Sequence, residues 1–199
     1  MLGLDAIIDL SHNNGTVDFV KVASVGIKAV ILKATQGITY IDQNYRYNKA
    51  KAQAAGLLVG AYHFGTNADG ATQADHFLDV AGNDVLQVLD FEQNQGSTIT
   101  LLQGKAFIRE VKAKTGKYPV VYTGGYIKDL LGPNFDADFA SCKLWLAQYG
   151  PRAVIPVSWK DYSLWQYEQN GTVEGVEGNV DKSVFNGNAD QLAQFWKTQ

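Results

Sequence analysis

The chain is short of sulfur chemistry: one of its 199 residues is cysteine. Cys142 has no partner for an intramolecular disulfide, which fits synthesis in a reducing cytosol. Its neighbours, Ser141 to Trp145, read as the edge of a buried strand, so a structural thiol is expected rather than a nucleophile. Histidine is scarce too. His12, His63 and His76 are the whole set, and their spacing fits no metal-ligand pattern. No metal or other cofactor is expected. His76 reads as a surface or packing residue of a helix, and His63 as a structural hydrogen-bonding group.

Charge of one sign is lacking too. Seventeen Lys and Arg stand against twenty Asp and Glu, a net charge of -3, so no global positive field would draw in nucleic acid or an anionic surface. No apolar run is long enough to cross a bilayer, and no membrane insertion is expected. Met1 to Leu4 is too short, and lacks the basic start, for a signal peptide. A chain made in the cytoplasm is expected, meeting any substrate outside the membrane only after release or by non-classical export. Linkers, low-complexity tracts and internal repeats are missing. With 46% hydrophobic residues, enough for one sizeable core, the expectation is a single domain over residues 1–199, and a monomer.

What is present is a rhythm. Short apolar runs at 6–10, 29–32, 57–64, 87–91 and 120–122 alternate with amphipathic stretches at 18–25, 43–55, 71–81, 101–114 and 126–131. Continuous apolar strands between helices imply strands buried on both faces, hence a parallel sheet. Gly26, Gly56, Gly82, Gly116 and Gly132 each follow a helical stretch, where a left-handed cap favours glycine. Thr100 and Gln103 form a capping-box pattern. After Leu131 the rhythm changes. Strands at 144–147 and 163–167 are separated by loop chemistry only, 178–181 reads as a short last strand, and 189–196 as a closing helix. Five strand–helix units followed by about three strands predict an α/β fold, a TIM-like barrel whose last third lost its helices.

In such a barrel, functional groups gather at the C-terminal strand ends. Those ends carry Asp9 with Ser11 and His12, Lys33 with Thr35, Tyr62 with His63, Asp90 with Glu92, Tyr122 with Thr123, Gln148 with Tyr149, Gln166 with Tyr167, and Asp181. Asp90 and Glu92 are the most informative. Side chains two apart on a strand share a face, so both should look into the mouth while Phe91 packs outward. Two close carboxyls resist ionising together, so one keeps its proton to higher pH, as a general acid requires. Glu92, nearer the strand end, is assigned that role. A solvated pair, or a salt bridge to Lys33, is the alternative. Asp9 and Asp181 reach the same rim and could serve glycoside cleavage, hold a hard cation, or merely cap loops. Tyr62, Tyr122, Tyr149, Trp165 and Tyr167 could form stacking faces for sugar rings or fill core space.

Several segments extend the pattern: Ile8-Asp9-Leu10-Ser11-His12; Leu32 to Gly37 with Asp42 and Asn48; Ala55 to Phe64; Gln73 to Phe77; Asp90-Phe91-Glu92; Tyr118 to Thr123; Leu144 to Tyr149; and Leu164 to Tyr167 with Gly178 to Asp181. In this order they resemble glycoside hydrolase family 25, the N-acetylmuramidases of phage lysins and bacterial wall hydrolases, over nearly the whole chain. The resemblance implies a (β/α)5(β)3 barrel that cuts the β-1,4 bond between N-acetylmuramic acid and N-acetylglucosamine in bacterial peptidoglycan glycan strands. It implies Glu92 as general acid/base and Asp90 orienting the substrate's 2-acetamido group, with Asp9 and Asp181 completing the acidic site. Lys33, Tyr62, Tyr122, Tyr149, Trp165 and Gln166 are the expected substrate-binding residues. Two positions depart from the family: Gln36, where many members carry Glu, and Asn13 and Asn14, where many carry an aromatic. The competing classes are a non-catalytic sugar-binding barrel and a metal-dependent hydrolase using the same carboxylates.

Overall fold

The continuous apolar runs become strands whose two faces are both covered, as a computed structural model describing residues 3–199 shows. The expectation about a signal segment rests partly on Met1 and Leu2, outside the described residues. Among the described residues no helix is long and apolar enough to cross a membrane. In chain order the elements are β1 (Leu4–Leu10), α1 (Phe19–Ser24), β2 (Ala29–Gln36), β3 (Tyr40–Ile41), α2 (Tyr45–Ala54), β4 (Leu58–Phe64), α3 (Gly70–Ala81) and β5 (Leu86–Asp90). They continue with α4 (Leu101–Thr115), β6 (Val120–Thr123), α5 (Gly125–Leu131), α6 (Ala137–Ser141), β7 (Lys143–Ala147), β8 (Leu164–Gly171), β9 (Val180–Phe185) and α7 (Ala189–Thr198).

Eight strands close into a barrel in the order β1, β2, β4, β5, β6, β7, β8, β9, with β9 returning to β1. The neighbours from β1 to β8 are parallel. This is the predicted (β/α)5(β)3 architecture. β9 runs antiparallel to both β8 and β1. Residues 172–179 are too few for a parallel crossover, which needs about a dozen or more residues, so the chain can only turn back. The loop at 148–163 is long enough, and β7 and β8 stay parallel without a helix between them. The last strand also extends to Phe185, well past the predicted end at Asp181.

Two short elements escaped the sequence reading. β3 is a two-residue exposed strand that pairs antiparallel with β2 and carries it past the barrel rim as a hairpin. α6 is a single short helix capped by Asp136, whose side chain accepts from the Asp138 N–H at 3.0 Å. Neither is long enough to show a hydrophobic period. The helix ends themselves follow the expected chemistry. The Thr100 N–H donates to Gln103 Oε1 at 2.9 Å. All five helix-ending glycines have positive φ. Gly116 is a left-handed cap, whereas Gly82 and Gly132 turn into extended ψ instead.

Alternation along the strands separates two cores. Ile7, Ile31, Leu86, Val88, Val120, Trp145, Leu164 and Phe185 fill the barrel, joined at its N-terminal end by Leu192 and Trp196 of α7. The opposite parity, including Ile8, Val30, Leu32, Leu89, Phe91 and Val121, packs against the helices. Phe91 stacks on Tyr126 and meets Phe139 edge-on. A Cβ on Gly104 would lie 2.7 Å from Phe91, so glycine lets α4 approach that ring. Where helices are missing, Ala153, Ile155, Trp159 and Tyr162 of the 148–163 loop cover Leu144, Leu146, Trp165 and Val184.

Candidate active site

The parity that buries Ile7, Ile31, Val88, Val120 and Leu164 also decides what stands above them. Two residues further along, Asp9, Lys33, Asp90, Tyr122 and Gln166 point the same way, into the mouth. With Tyr62, Glu92 and Asp181 they line a cavity of about 160 Å³, completed by Ser11, Asn13, Phe64 and Trp145. All four predicted carboxylates are therefore brought together. The cavity is smaller than the ~300–1,000 Å³ of ordinary ligand pockets, so an extended ligand would place one portion in it and lie across the open rim.

Each carboxylate is held differently. Asp9 and Asp181 sit opposite one another across β1 and β9. Gln166 Nε2 donates to Asp9 Oδ2 at 2.9 Å. The Gln166 carbonyl in turn accepts from the Tyr122 and Tyr149 hydroxyls, both at 2.8 Å. Ser11, not Asp9, caps the turn after β1, its Oγ accepting from the Asn13 N–H at 3.2 Å. Asp90 is 6% exposed, and its buried Oδ1 has no hydrogen-bond partner among the described residues. A buried, unsatisfied acceptor is costly, and it belongs to one of the residues that line the cavity.

All four carboxyls are pushed above their ordinary values. Burial is the largest cause at each. Asp181 adds repulsion at Asp9, against the Gln166 amide. Glu92 adds repulsion at Asp90, against the Lys33 charge. At Glu92 itself, burial is opposed by Lys33 and reinforced by Asp181. At Asp181, burial is the largest cause and the neighbouring Asp9 opposes it. Lys33 thus opposes burial at both members of the Asp90–Glu92 pair, which titrate together.

Of the expected binding residues, Lys33, Tyr62, Tyr122 and Gln166 line the cavity. Tyr149 is half exposed at the rim and reaches in through its hydroxyl. Lys33 is no ion-pair partner of the carboxylates. Its ammonium donates to Gln36 Oε1 at 2.8 Å and lies 4.9 Å from the Phe64 ring centre and 5.5 Å from that of Tyr40. Trp165 is not in the mouth. With Leu164 and Gln166 inward, alternation turns it outward, where it packs against Tyr162 and Tyr167 and its Nε1 donates to the Gln148 carbonyl. The indole that does face the cavity is Trp145, edge-on to Tyr122 with centroids 4.6 Å apart. The same period-2 argument that paired Asp90 with Glu92 identifies it.

Thr35, His63 and His12 also leave the rim. A β-bulge between Lys33 and Thr35 shifts the register against β4, which turns Thr35 away from the face Lys33 occupies. Thr35 Oγ1 meets His63 Nδ1 at 2.8 Å. His63 stacks on Phe107, with Gln73 Oε1 3.2 Å from its Nε2, and burial lowers its pKa to about 3. His12 Nδ1 lies 2.8 Å from Asp42 Oδ2. Cys142 is buried, and burial pushes its thiol upward, as a structural thiol requires. Among the described residues no group of three or more His, Cys, Asp or Glu is arranged to hold a metal ion.

A carboxylic acid kept protonated, beside carboxylates that can stabilise developing positive charge or orient a neighbouring group, is the equipment of acid-assisted glycoside cleavage. The sequence profile of glycosyl hydrolases family 25 matches residues 8–176. Lysozyme M1 of Streptomyces globisporus is 32% identical over 93% of this chain and 69% of its own length. The bacterial lysozyme structure from Streptomyces coelicolor superposes with a TM-score of 0.90 at 31% identity, covering 99% of each chain. The CTP1L endolysin superposes with a TM-score of 0.78 at 30% identity, over 98% of this chain and 70% of its own.

Proposed function

The chain belongs to glycosyl hydrolase family 25, and on that premise we propose that it is a muramidase, cleaving the β-1,4 bond between N-acetylmuramic acid and N-acetylglucosamine in bacterial peptidoglycan. The observation that carries this reading is the cavity itself, where Glu92 stands with Asp9 and Asp90 at C-terminal strand ends and with Asp181 at the start of the antiparallel β9. Lysozyme M1 and the Streptomyces coelicolor lysozyme support it by their names and their similarity along the chain.

Glu92 is the general acid/base. Burial keeps its proton available for the leaving oxygen. Asp90 orients the 2-acetamido group, whose N–H would satisfy the unpartnered Oδ1. That hydrogen bond favours the ionised carboxylate, which then supports attack by the acetamido oxygen on the anomeric carbon. Asp9 and Asp181, opposite one another across β1 and β9, complete the acidic site. Tyr62, Tyr122, Tyr149 and Gln166 bind the sugar, with Trp145 taking the place foreseen for Trp165. Neither metal nor cofactor is needed for this chemistry, and activity should survive exhaustive chelation.

The substrate is a glycan strand, met by one monomeric catalytic domain. The CTP1L endolysin supports a lytic setting, with phage or prophage release as the occasion. The deciding experiment digests purified peptidoglycan, reduces the products and identifies the new reducing-end sugar by mass spectrometry. N-acetylmuramitol is expected. N-acetylglucosaminitol alone, or cleaved peptide stems, would overturn the assignment.

A further inference from the structure

Lys33 is the cation of a cavity that otherwise carries four carboxyls. Its β2 position puts it opposite Tyr62 of β4. The groups around it come from every neighbouring element: Asp9 of β1, Tyr62 of β4, Asp90 and Glu92 at the end of β5, Asp181 of β9, and Tyr40 and Asp42 at the hairpin. His63 of β4 lies on the other side of the sheet but still feels its charge. With so many acids near, an ion pair would be the ordinary outcome. Instead the ammonium is tied to the hairpin side, donating to the neutral Gln36 amide at 2.8 Å and lying near the Phe64 and Tyr40 rings.

A neutral hydrogen-bond partner leaves the lysine's charge uncancelled, and ring faces attract a cation without neutralising it. The ammonium therefore keeps a charge that the acid pair can feel. We propose that Lys33, anchored by Gln36, is a positioning residue for charge: it sets the pH range over which Glu92 and Asp90 give up their protons. The direction agrees with the opposing influence of Lys33 at both carboxyls. Burial in turn lowers the affinity of Lys33 for its own proton, against the pull of Asp90, Asp42 and Glu92.

The inference rests on the Glu92 acid role proposed above, and its test has one readout that does not need activity. Lys33→Met removes the charge. Gln36→Glu keeps the lysine but neutralises it with an ion pair. Lys33→Arg keeps the charge. Glu92 is also faced by Asp9, Asp90, Asp181, Tyr62, Tyr122 and Tyr149, and none of these changes between variants. The pH profile of kcat/KM on purified peptidoglycan should move to higher pH on both limbs in Lys33→Met and Gln36→Glu, by on the order of half a pH unit or more. In Lys33→Arg both limbs should stay near the wild-type positions. The carboxyl 13C titration of Glu92, assigned by its loss in Glu92→Gln, should shift the same way without substrate. Folded variants whose limbs and 13C midpoint stay in place, with rate lost equally at all pH values, would make Lys33 a substrate contact or a structural residue and overturn the proposal. If the wild-type protein yields no muramic acid ends, the function reading fails, and the 13C titration still decides the role of Lys33.

Discussion

Gln166 Nε2 donates to Asp9 Oδ2 at 2.9 Å while its carbonyl accepts from two tyrosine hydroxyls. One amide thus fixes a carboxylate of β1 from β8, and Tyr122 and Tyr149 fix the amide. Replacing it exposes the whole arrangement. Gln166→Leu leaves both phenols without their acceptor and Asp9 without the bond that holds its pKa down. A stability loss of about 1–3 kcal/mol is expected in denaturant titration, with a fall in kcat/KM. An unchanged midpoint and unchanged rate would remove Gln166 from the site.

Glu92→Gln keeps shape and hydrogen bonding but has no proton to give. Turnover should fall by about 10²–10⁴-fold or more, with oligosaccharide affinity and circular dichroism retained. Asp90→Asn should also lower kcat. A folded Glu92→Gln protein with most of its turnover would move the acid role to Asp9 or Asp181.

Buried carboxyls also set a pH dependence of stability. Asp9 and Asp90 are raised well above 3.8. Between that value and the folded pKa, the native state binds more protons than the unfolded chain, so stability falls as pH rises through the window. Asp90→Asn removes the ionisation. Its Tm should exceed that of wild type near neutral pH, and the gap should close as pH drops below the ordinary carboxylate range. A variant less stable than wild type at neutral pH contradicts this, and a more stable but slower one is the usual trade at a functional site.

Trp165 is 5% exposed and packs under the loop that replaces a helix. Trp165→Ala should therefore cost about 3–5 kcal/mol, and Trp165→Phe should leave KM near the wild-type value. A large KM effect with stability untouched would return Trp165 to the substrate groove. On the opposite flank, Gly104→Ala presses a methyl group against Phe91, for an expected loss of about 1–3 kcal/mol.

The sequence speaks clearly where a period repeats. Five strand–helix units, the helix-ending glycines and the shared face of Asp90 and Glu92 all follow from alternation and capping chemistry. It is silent where one local event resets the period. The bulge after Lys33 carries Thr35 out of the mouth, and nothing in Lys33-Ala34-Thr35 marks it. The reversal into β9 depends on the length of a connection, which only the true strand ends reveal. Trp165 is a different case, because its neighbours' parity was legible and its aromatic character outweighed it. The Lys33–Gln36 bond joins a strand to its own extension above the rim, and acid–base complementarity alone pointed Lys33 toward the carboxylates.

The pairing of β9 with β1 has a consequence in time. A chain leaving the ribosome presents β1, with Asp9, long before β9, with Asp181. Until then β1 and β8 have unpaired edges, which invite association with other chains, and ring closure must join β1 to β9 across all the strands between them, a slow kind of contact. The complete acid cluster is therefore absent from the nascent chain. Products truncated before β9 would lack Asp181, and a cell making such a hydrolase would be spared that cluster until β9 has emerged.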